Sequence, residues 1–356
     1  MATLPIQRLY HASVVVNDAR ATAQHYARLL GITRWEVHHW TPWRLTNTHA
    51  YGYRAEFGYT TATGRNARGV TFRLVQPTHG FSTYTEYLIT RGEGVHSLCA
   101  TMLPPRELES LLTTLAQQHD LSVAQSFDGD GQTSVMFDTR RALGGFFVEV
   151  INSAAPLLAA DEVWDCSSED SRPDGVGWLA EIPRVDHFGV AVSSLTEKLP
   201  AYARLLGVSR WSGVHFHNTP GGLEHATFDG RVVDNAWLLA ITDVADFGLE
   251  LLQGTREPTD YQRTVQRIGE GIHHILVRRG ASDEEWWAVR DWMESMNIGV
   301  VMSGRVRYGA GEFFYLDTRA ALGGYLLEVL VSREPAGPSL QAPANWRFDF
   351  DFTSKV

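Results

Sequence analysis

Short segments in which apolar and polar residues alternate recur along the chain, and each is followed by a segment with helical periodicity. HFGVAV at 187–192 precedes a helical pattern over 195–206, and HHILV at 273–277 precedes another over 282–296. After these helices come short β-rich runs, at 210–217, 224–229, 236–241 and 248–253 in the first case and at 299–306, 312–317 and 324–331 in the second. The pattern predicts two β-α-β-β-β modules in this part of the chain.

The N-terminal half carries the same blocks in the same order. The three clearest pairs are RLYHASVVVNDARATAQHYARLLGITRW (8–35) with RVDHFGVAVSSLTEKLPAYARLLGVSRW (184–211), GEGVHS (92–97) with GEGIHH (269–274), and MFDTRRALGGFFVEVI (136–151) with YLDTRAALGGYLLEVL (315–330). Blocks that recur at a nearly constant spacing indicate a duplicated domain. We therefore predict four modules, two in each half.

The segments outside the repeated blocks differ in composition. We place the two domains at 1–152 and 184–332. Residues 153–183 are rich in Ser, Asp, Pro and Gly without a clear period, which predicts a linker packed on the surface. The tail at 333–356 combines prolines with aromatic clusters, and we expect it to lie over a domain.

Composition and charge narrow the expected partners. Of the 356 residues, 44% are hydrophobic and 20% are charged, and the net charge is −10 without a dense Lys/Arg run. We therefore expect neither nucleic acid nor an anionic membrane as a partner. The N-terminus has no basic segment followed by an apolar run, so we expect a soluble cytoplasmic protein. Cys99 and Cys166 have no metal-ligand spacing and imply no disulfide framework.

Strand alternation predicts the face of the sheet on which His187, His273 and His274 lie. In HFGVAV, His187 shares a face with Gly189, which leaves room beside the imidazole. In HHILV, alternation turns His274 toward the side of His187, whereas His273 shares the bulky face with Ile275. We expect His273 to pack under a helix with a polar partner.

Two glutamates lie midway along apolar strands, Glu250 in FGLELLQ and Glu328 in GGYLLEVL. A charge in such a place is costly unless it is paired or bound to a metal. With His187 and His274, the glutamates offer two imidazole nitrogens and two carboxylate oxygens, which suit Mg²⁺ or a divalent first-row metal. Two positions of an octahedral shell would stay open for water or substrate oxygens. The alternative is a buried network of His–Glu hydrogen bonds.

These motifs, in this order and strand register, resemble the vicinal oxygen chelate superfamily of glyoxalase I, methylmalonyl-CoA epimerase, extradiol dioxygenases and antibiotic-resistance proteins. The wording is closest to the epimerases, in LELLQG (249–254), RIGEGIHHILV (267–277) and GGYLLEV (323–329). The resemblance implies an α+β fold in which the four modules form two cup-shaped domains of mixed sheet. It also implies one metal ligand on the first and one on the last strand of a module.

The resemblance makes His187 and Glu250 ligands from the third module, and His274 and Glu328 ligands from the fourth. In the first half, the equivalent positions hold His11, Arg73, Ser97 and Glu149. An arginine there should repel a divalent cation. We therefore predict that the N-terminal domain is a metal-free copy, kept for structure, substrate capping or dimerisation. Because only the third and fourth modules give a full set, we predict no exchange of modules between the halves.

The resemblance implies one divalent ion (Fe, Mn, Co, Ni, Zn or Mg) and a small aromatic or acidic substrate held through adjacent oxygens. Our leading hypothesis is a metal-dependent isomerase, epimerase or lyase that stabilises an enolate-like intermediate. Glu250 and Glu328 would act as base and acid, and Asp234 is a further candidate for proton transfer.

Two other functions stay open. An Fe(II) ring-cleaving dioxygenase would use two histidines and one carboxylate, so Glu250 is the discriminating residue. The chain lacks the Tyr-x-x-Asp-Pro wording of extradiol enzymes and has YLDTRAALGG instead. The other possibility is a small-molecule binder without catalysis. Trp211, Phe216, Trp237 and Tyr308 are candidates to line a cavity for an aromatic substrate, and both a monomer and a homodimer are possible.

Overall fold

Two mixed β-sheets of eleven strands each dominate the computed structural model of the chain. The structure describes residues 3–118, 121–152, 159–173, 175–220, 222–306, 310–333 and 347–353. None of the helices in these ranges has the length and apolar character needed to cross a membrane.

The first sheet is built from the N-terminal part of the chain. Its strands are β1 (His11–Val15), β2 (Arg34–Trp40), β3 (Thr46–Ala50), β4 (Tyr53–Arg54), β5 (Phe57–Arg65), β6 (Thr71–Gly80), β7 (Gly94–Leu103), β8 (Val123–Gly129), β9 (Gln132–Phe137), β10 (Phe147–Asn152) and β11 (Glu162–Asp165). They lie in the order β11-β2-β5-β6-β1-β7-β10-β9-β8-β3-β4.

The second sheet is built from the C-terminal part. Its strands are β12 (His187–Ala191), β13 (Arg210–His217), β14 (Leu223–Phe228), β15 (Arg231–Val232), β16 (Ala236–Val244), β17 (Phe247–Arg256), β18 (Gly271–Ala281), β19 (Val300–Val306), β20 (Gly311–Leu316), β21 (Leu326–Ser332) and β22 (Arg347–Asp351). Their order is β15-β14-β19-β20-β21-β18-β12-β17-β16-β13-β22. Each sheet thus takes its strands from one half only, which is the unexchanged arrangement that we predicted.

Eight α-helices accompany the sheets in the described residues. They are α1 (Ala19–Leu30), α2 (Thr83–Arg91), α3 (Pro105–Gln118), α4 (Arg140–Leu143), α5 (Leu195–Leu206), α6 (Asp260–Ile268), α7 (Asp283–Ser295) and α8 (Arg319–Leu322). The patterns over 195–206 and 282–296 predicted α5 and α7 to within a residue at each end. The equivalent helices of the first half are α1 and α3, so each of the four modules has one long helix. The sequence pattern did not predict α2 and α6.

The two halves share one apolar core and lock together symmetrically. Buried residues on the back faces of both sheets, such as Val14 and Val190, belong to a single cluster. The Tyr26 hydroxyl donates to the Leu322 carbonyl at 3.1 Å, and its equivalent Tyr202 donates to the Leu143 carbonyl at 2.6 Å. This pairing of α1 with α8 and of α4 with α5 reproduces, within one chain, the symmetry of a dimer.

The Gly-Gly pair of each DTR-x-ALGG block makes this close approach possible. Gly145 and Gly324 have φ of 88° and 89°, in the left-handed region that favours glycine. A side chain at Gly145 would collide with the Glu270 carbonyl, and one at Gly324 with the Glu93 carbonyl. Both pairs are therefore explained by contact between the halves.

An additional edge strand extends each sheet beyond the predicted domain boundaries. β11 comes from the predicted linker and pairs with β2, with Trp164 opposite Trp35. β22 comes from the predicted tail and pairs with β13, with Phe350 opposite Trp211. The tail therefore does lie on the C-terminal domain, although it continues the sheet rather than covering it. The parts of these predictions at 153–158, 334–346 and 354–356 lie outside the described residues.

Candidate metal centre

Four adjacent strands at the middle of the second sheet position the predicted ligands. In the order β21-β18-β12-β17, they carry Glu328, His274, His187 and Glu250. Gly189 of β12 lies opposite both His274 and Glu250 in the strand register. A side chain at Gly189 would collide with the His274 ring, so this glycine provides the room that the sequence predicted.

The side chains of these four residues converge on one point. His187 Nε2 lies 3.2 Å from His274 Nε2, 3.3 Å from Glu250 Oε2 and 3.2 Å from Glu328 Oε2. His274 Nε2 lies 3.3 Å and 3.2 Å from the same two carboxylate oxygens. The exposed fraction of each residue is 6% or less. The structure therefore brings all four predicted ligands into one buried cluster.

The donor set fits a divalent ion. Ligand atoms at about 2.1 Å from a metal, at right angles, are about 3.0 Å apart, close to the spacing found here. The Oε2 atoms of Glu250 and Glu328 are buried and lack a regular hydrogen-bond partner. Such oxygens are costly to bury unless something else satisfies them, and a cation does so.

Attraction between the imidazoles and the carboxylates shifts the pKa of each of these groups. Burial opposes charge on His187, but the nearby Glu250 carboxylate outweighs it and raises the pKa of His187 well above its usual value. Burial likewise opposes charge on Glu250 and Glu328, but the two imidazoles lower the pKa of both carboxyl groups. Deprotonated carboxylates are the form that a metal requires.

Each histidine has an outer hydrogen-bond partner. His187 Nδ1 lies 3.3 Å from Asp186 Oδ1. His274 Nδ1 lies 2.9 Å from His273 Nδ1, and His273 Nε2 lies 2.8 Å from Asp260 Oδ2 on α6. His273 does have a polar partner, but its predicted face is wrong. A β-bulge opposite Gly189 and Val190 makes it an extra residue, so it lies on the same side as His274.

A cavity of about 530 Å³ opens onto His187, Glu250 and Glu328. Its lining is mainly apolar and aromatic, from Val214, Phe216, Trp237, Leu239, Tyr261, Leu276, Val306, Phe313, Tyr315 and Leu330, with Ser212, Ser332 and Asp349. Phe216 and Trp237 thus lie where an aromatic substrate would need them. Trp211 lines a neighbouring cavity instead, and Tyr308 lies outside the described residues.

Asp234 is not part of this arrangement. Its side chain is 67% exposed and forms an ion pair with Arg256 at 2.8 Å. It follows the hairpin strand β15, and it is not among the residues that line the cavity. The structure therefore gives no support to a role for Asp234 in proton transfer.

The equivalent place in the first sheet holds an ion pair. Glu149 Oε2 lies 3.1 Å from His11 Nε2, and Glu149 Oε1 lies 3.4 Å from the Arg73 guanidinium. Burial alone would raise the pKa of Glu149, but Arg73, with hydrogen bonds from His11 and Ser134, lowers it to about 2. As predicted, the arginine takes the position of the second carboxylate, and Ser97 takes that of His274.

One neighbour of this ion pair was missed. Cys99 lies opposite His11 in the strand register, and its sulfur, His11 and Glu149 form a second group with metal-ligand atoms within 4.8 Å of one another. Spacing along the chain gave no hint of this group, because strand pairing alone makes it. Burial raises the pKa of the Cys99 thiol, and the Arg73 cation lies on the same glutamate, so the group is less suited to an ion than the first.

Comparison with known proteins identifies the fold. No family model and no curated protein sequence matches the chain. Its structure is similar to that of a mutant 4-hydroxymandelate synthase from Streptomyces coelicolor, with a TM-score of 0.58 and 14% identity over 94% of this chain and 95% of that chain. The fold prediction is confirmed. The chain has two α+β domains of the vicinal oxygen chelate type.

Two weaker similarities cover nearly the whole chain. A catechol 2,3-dioxygenase aligns with a TM-score of 0.44 and 16% identity over 99% of this chain and 95% of that chain. The Mn(II)-bound glyoxalase from Novosphingobium aromaticivorans aligns with a TM-score of 0.42 and 14% identity, over 94% and 86% of the two chains.

Proposed function

We propose that this protein is a metal-dependent enzyme whose His187, Glu250, His274 and Glu328 hold one divalent ion at the floor of the C-terminal cup. The observation that carries the proposal is the spacing of 3.2–3.3 Å from the two imidazole nitrogens to the two otherwise unsatisfied carboxylate oxygens. The proposed substrate is a small molecule with two adjacent oxygens, because an ion held by these four groups would have room for two further ligands.

The reaction that this site serves best is proton transfer next to a carbonyl, as in an isomerase, epimerase or lyase. A bound divalent ion supplies a Lewis acid that stabilises the negative charge on the carbonyl oxygen when the proton leaves. Glu250 and Glu328 come from opposite sides of the histidine pair in the sheet, so one carboxylate can accept the proton and the other can return it.

The cavity walls support a substrate with an apolar, aromatic body. Phe216, Trp237, Phe313 and Tyr315 line the same cavity as His187, Glu250 and Glu328. Trp237 packs edge-on against Phe313 with ring centroids 5.6 Å apart, which gives the wall a fixed shape. An apolar wall also excludes water, which strengthens the interaction of the carboxylates with a developing charge.

A second candidate is an Fe(II)-dependent dioxygenase. His187, His274 and Glu328 alone form the set of two histidines and one carboxylate that such enzymes use. Three open positions would then accommodate a bidentate substrate and O₂. The two candidates differ in whether Glu250 is a ligand.

Metal content of protein purified with and without air tests both candidates, in the wild type and in Glu250→Ala and His274→Ala. Ser97→Ala is the matched control, because Ser97 occupies the equivalent strand position in the other half. A non-redox metal that is lost from both variants, but not from the control, supports proton-transfer chemistry. Iron that is retained by Glu250→Ala and lost from His274→Ala supports the dioxygenase. A wild-type protein that binds no metal under any loading condition contradicts both and leaves a binding protein.

A further inference from the structure

We propose that His273 and Asp260 are positioning residues for His274: they fix the tautomer and the orientation of the imidazole that binds the metal. The inference rests on the proposed function, because it takes His274 Nε2 to be a metal ligand. It assigns a role to the second histidine of the HH pair and to a buried aspartate on a helix that the sequence pattern did not predict.

The hydrogen bonds of this chain of three residues have one consistent direction. His274 uses Nε2 at the metal centre, so its neutral ring carries the proton on Nδ1 and donates it to His273 Nδ1 at 2.9 Å. The proton of His273 must then be on Nε2, where it donates to Asp260 Oδ2 at 2.8 Å. The carboxylate thus selects the tautomer of His273, and His273 in turn selects that of His274.

The surroundings keep this chain of residues in place. His273 is 3% exposed, and both His274 and Asp260 are fully buried. Arg263 donates to Asp260 Oδ1 at 2.6 Å, and Arg319 lies 3.6 Å from Asp260 Oδ2, so the aspartate retains its charge in the interior.

A local irregularity of the sheet makes the contact between the two histidines possible. Regular alternation would turn neighbouring side chains to opposite faces. The bulge in β18 places His273 between the residues paired with Gly189 and Val190, so His273 and His274 lie on the same side. Asp260, the first residue of α6, then reaches the far nitrogen of His273.

The N-terminal half retains the bulge and its histidine but lacks the second histidine and the aspartate. His96 occupies the equivalent bulge between the partners of Ser13 and Val14, and both its ring nitrogens are buried without a side-chain hydrogen-bond partner. Ser97 replaces the ligand, and Thr83, the first residue of α2, replaces the aspartate. In the N-terminal half, the bulge and its histidine form without a carboxylate at the equivalent position. Formation of the bulge therefore does not explain the presence of Asp260. The carboxylate accompanies the metal ligand.

The experiment measures Co²⁺ binding to the full chain, as a dissociation constant by chelator competition and as the visible absorption spectrum. His273→Phe retains an aromatic ring but removes the acceptor. Asp260→Asn retains the shape and an acceptor oxygen but removes the charge. His96→Phe and Thr83→Ala are the matched controls at the equivalent positions. The melting temperature of each metal-free protein monitors the fold.

We expect His273→Phe to bind Co²⁺ about 10- to 100-fold more weakly with an altered spectrum, because outer partners of metal-bound histidines have effects of this size. Asp260→Asn should show a smaller loss, and both controls should match the wild type. Wild-type affinity and spectrum in both variants would overturn the inference and leave the metal site intact. Weaker Co²⁺ binding together with an unchanged spectrum and a lower melting temperature would also overturn the inference, because this result would indicate a structural role only. A wild type that binds no Co²⁺, Mn²⁺ or Zn²⁺ contradicts the proposed function itself.

Discussion

The two cups of this protein have the same strands in the same order, yet they satisfy a buried glutamate in different ways. In the N-terminal cup, the countercharge of Glu149 is Arg73, a part of the chain itself. In the C-terminal cup, Glu250 and Glu328 face each other across two histidines with their inner oxygens unsatisfied. The comparison teaches that the proposed metal centre depends on the residues at a few positions and not on the fold.

The interiors of the two cups also differ, because one is packed and the other contains a cavity. An aromatic cluster that includes Phe57, Tyr59, Tyr84, Phe127 and Phe147 packs inside the N-terminal cup. The aromatic side chains of the C-terminal cup instead stand around a cavity of about 530 Å³. The N-terminal cup therefore has its own internal cation and a packed interior, whereas the C-terminal cup has a cavity beside its polar cluster.

The largest expected effect is the gain of a second metal site. Arg73→Glu combined with Ser97→His restores, beside His11 and Glu149, the ligand set of the other cup, and Ser13→Gly adds the room that Gly189 gives to His274. We expect the metal stoichiometry to rise from one to two per chain, measured by titration with Co²⁺ and elemental analysis. The strand positions are equivalent in the two sheets, so little rearrangement of the backbone is required.

One variant and the wild type bracket this result. Arg73→Glu with Ser13→Gly and Ser97→Ala lacks the new imidazole and should stay at one equivalent. The wild type should also bind one equivalent, although Cys99, His11 and Glu149 lie close enough for a metal. A second equivalent in the wild type would show that the N-terminal cup is not a metal-free copy.

Removal of the internal cation should strongly destabilise the protein. Arg73→Ala leaves Glu149 fully buried beside His11, and removing one partner of a buried ion pair costs roughly 3–5 kcal/mol of the free energy of unfolding. Urea denaturation at neutral pH measures the loss. A second change, Glu149→Gln, should restore most of it, because no uncompensated charge is then left. Equal stabilities of the single and double variants would show that His11 and Ser134 suffice for Glu149.

Metal should stabilise only the protein that has the intact C-terminal ligands. At a free metal concentration 100 times the dissociation constant, the native state gains about 2.7 kcal/mol. For a domain of this size we expect a rise of roughly 5–10 °C in the melting temperature. The rise should vanish in His274→Ala and persist in Ser97→Ala. An equal rise in both variants would place the metal elsewhere.

Much of this comparison could be predicted from the sequence. The duplicated blocks gave the four modules, and period-two alternation put His187, His274, Glu250 and Glu328 on one side of four strands. Both are local signals, because strand alternation and helical periodicity depend on neighbouring residues only. The lost ligand and the arginine in the first half followed from aligning the two copies.

What the sequence did not reveal depends on tertiary structure. A bulge breaks alternation without a residue type that announces it, so the face of His273 was wrong. Helix α6 is short and polar, and only the fold brings its Asp260 to His273. One signal was present in the sequence. When the two halves are aligned, Asp260 corresponds to Thr83 at the same sequence offset at which His274 corresponds to Ser97. Cys99 and His11 are brought together only by the pairing of two strands that are distant in the sequence.

The smallest expected effect concerns His96, the buried histidine in the bulge of the N-terminal cup. Burial lowers the pKa of His96 to about 3, from a usual value of 6.5. Between these values the unfolded chain binds one more proton than the native protein, so the free energy of unfolding falls as the pH falls. The slope from this group approaches about 1.4 kcal/mol per pH unit.

Replacing His96 by Phe should remove this contribution, because phenylalanine packs against Phe147 and Tyr84 without a proton to bind. We expect His96→Phe to lose less stability than the wild type between pH 6.5 and 4.5, with urea denaturation as the measurement. Ser97→Ala, which changes a neighbouring side chain that does not titrate, should keep the wild-type slope. If His96→Phe and the wild type have parallel pH profiles, the imidazole has a partner that accepts its charge. The bulged histidines of the two cups would then be alike in chemistry as well as in place.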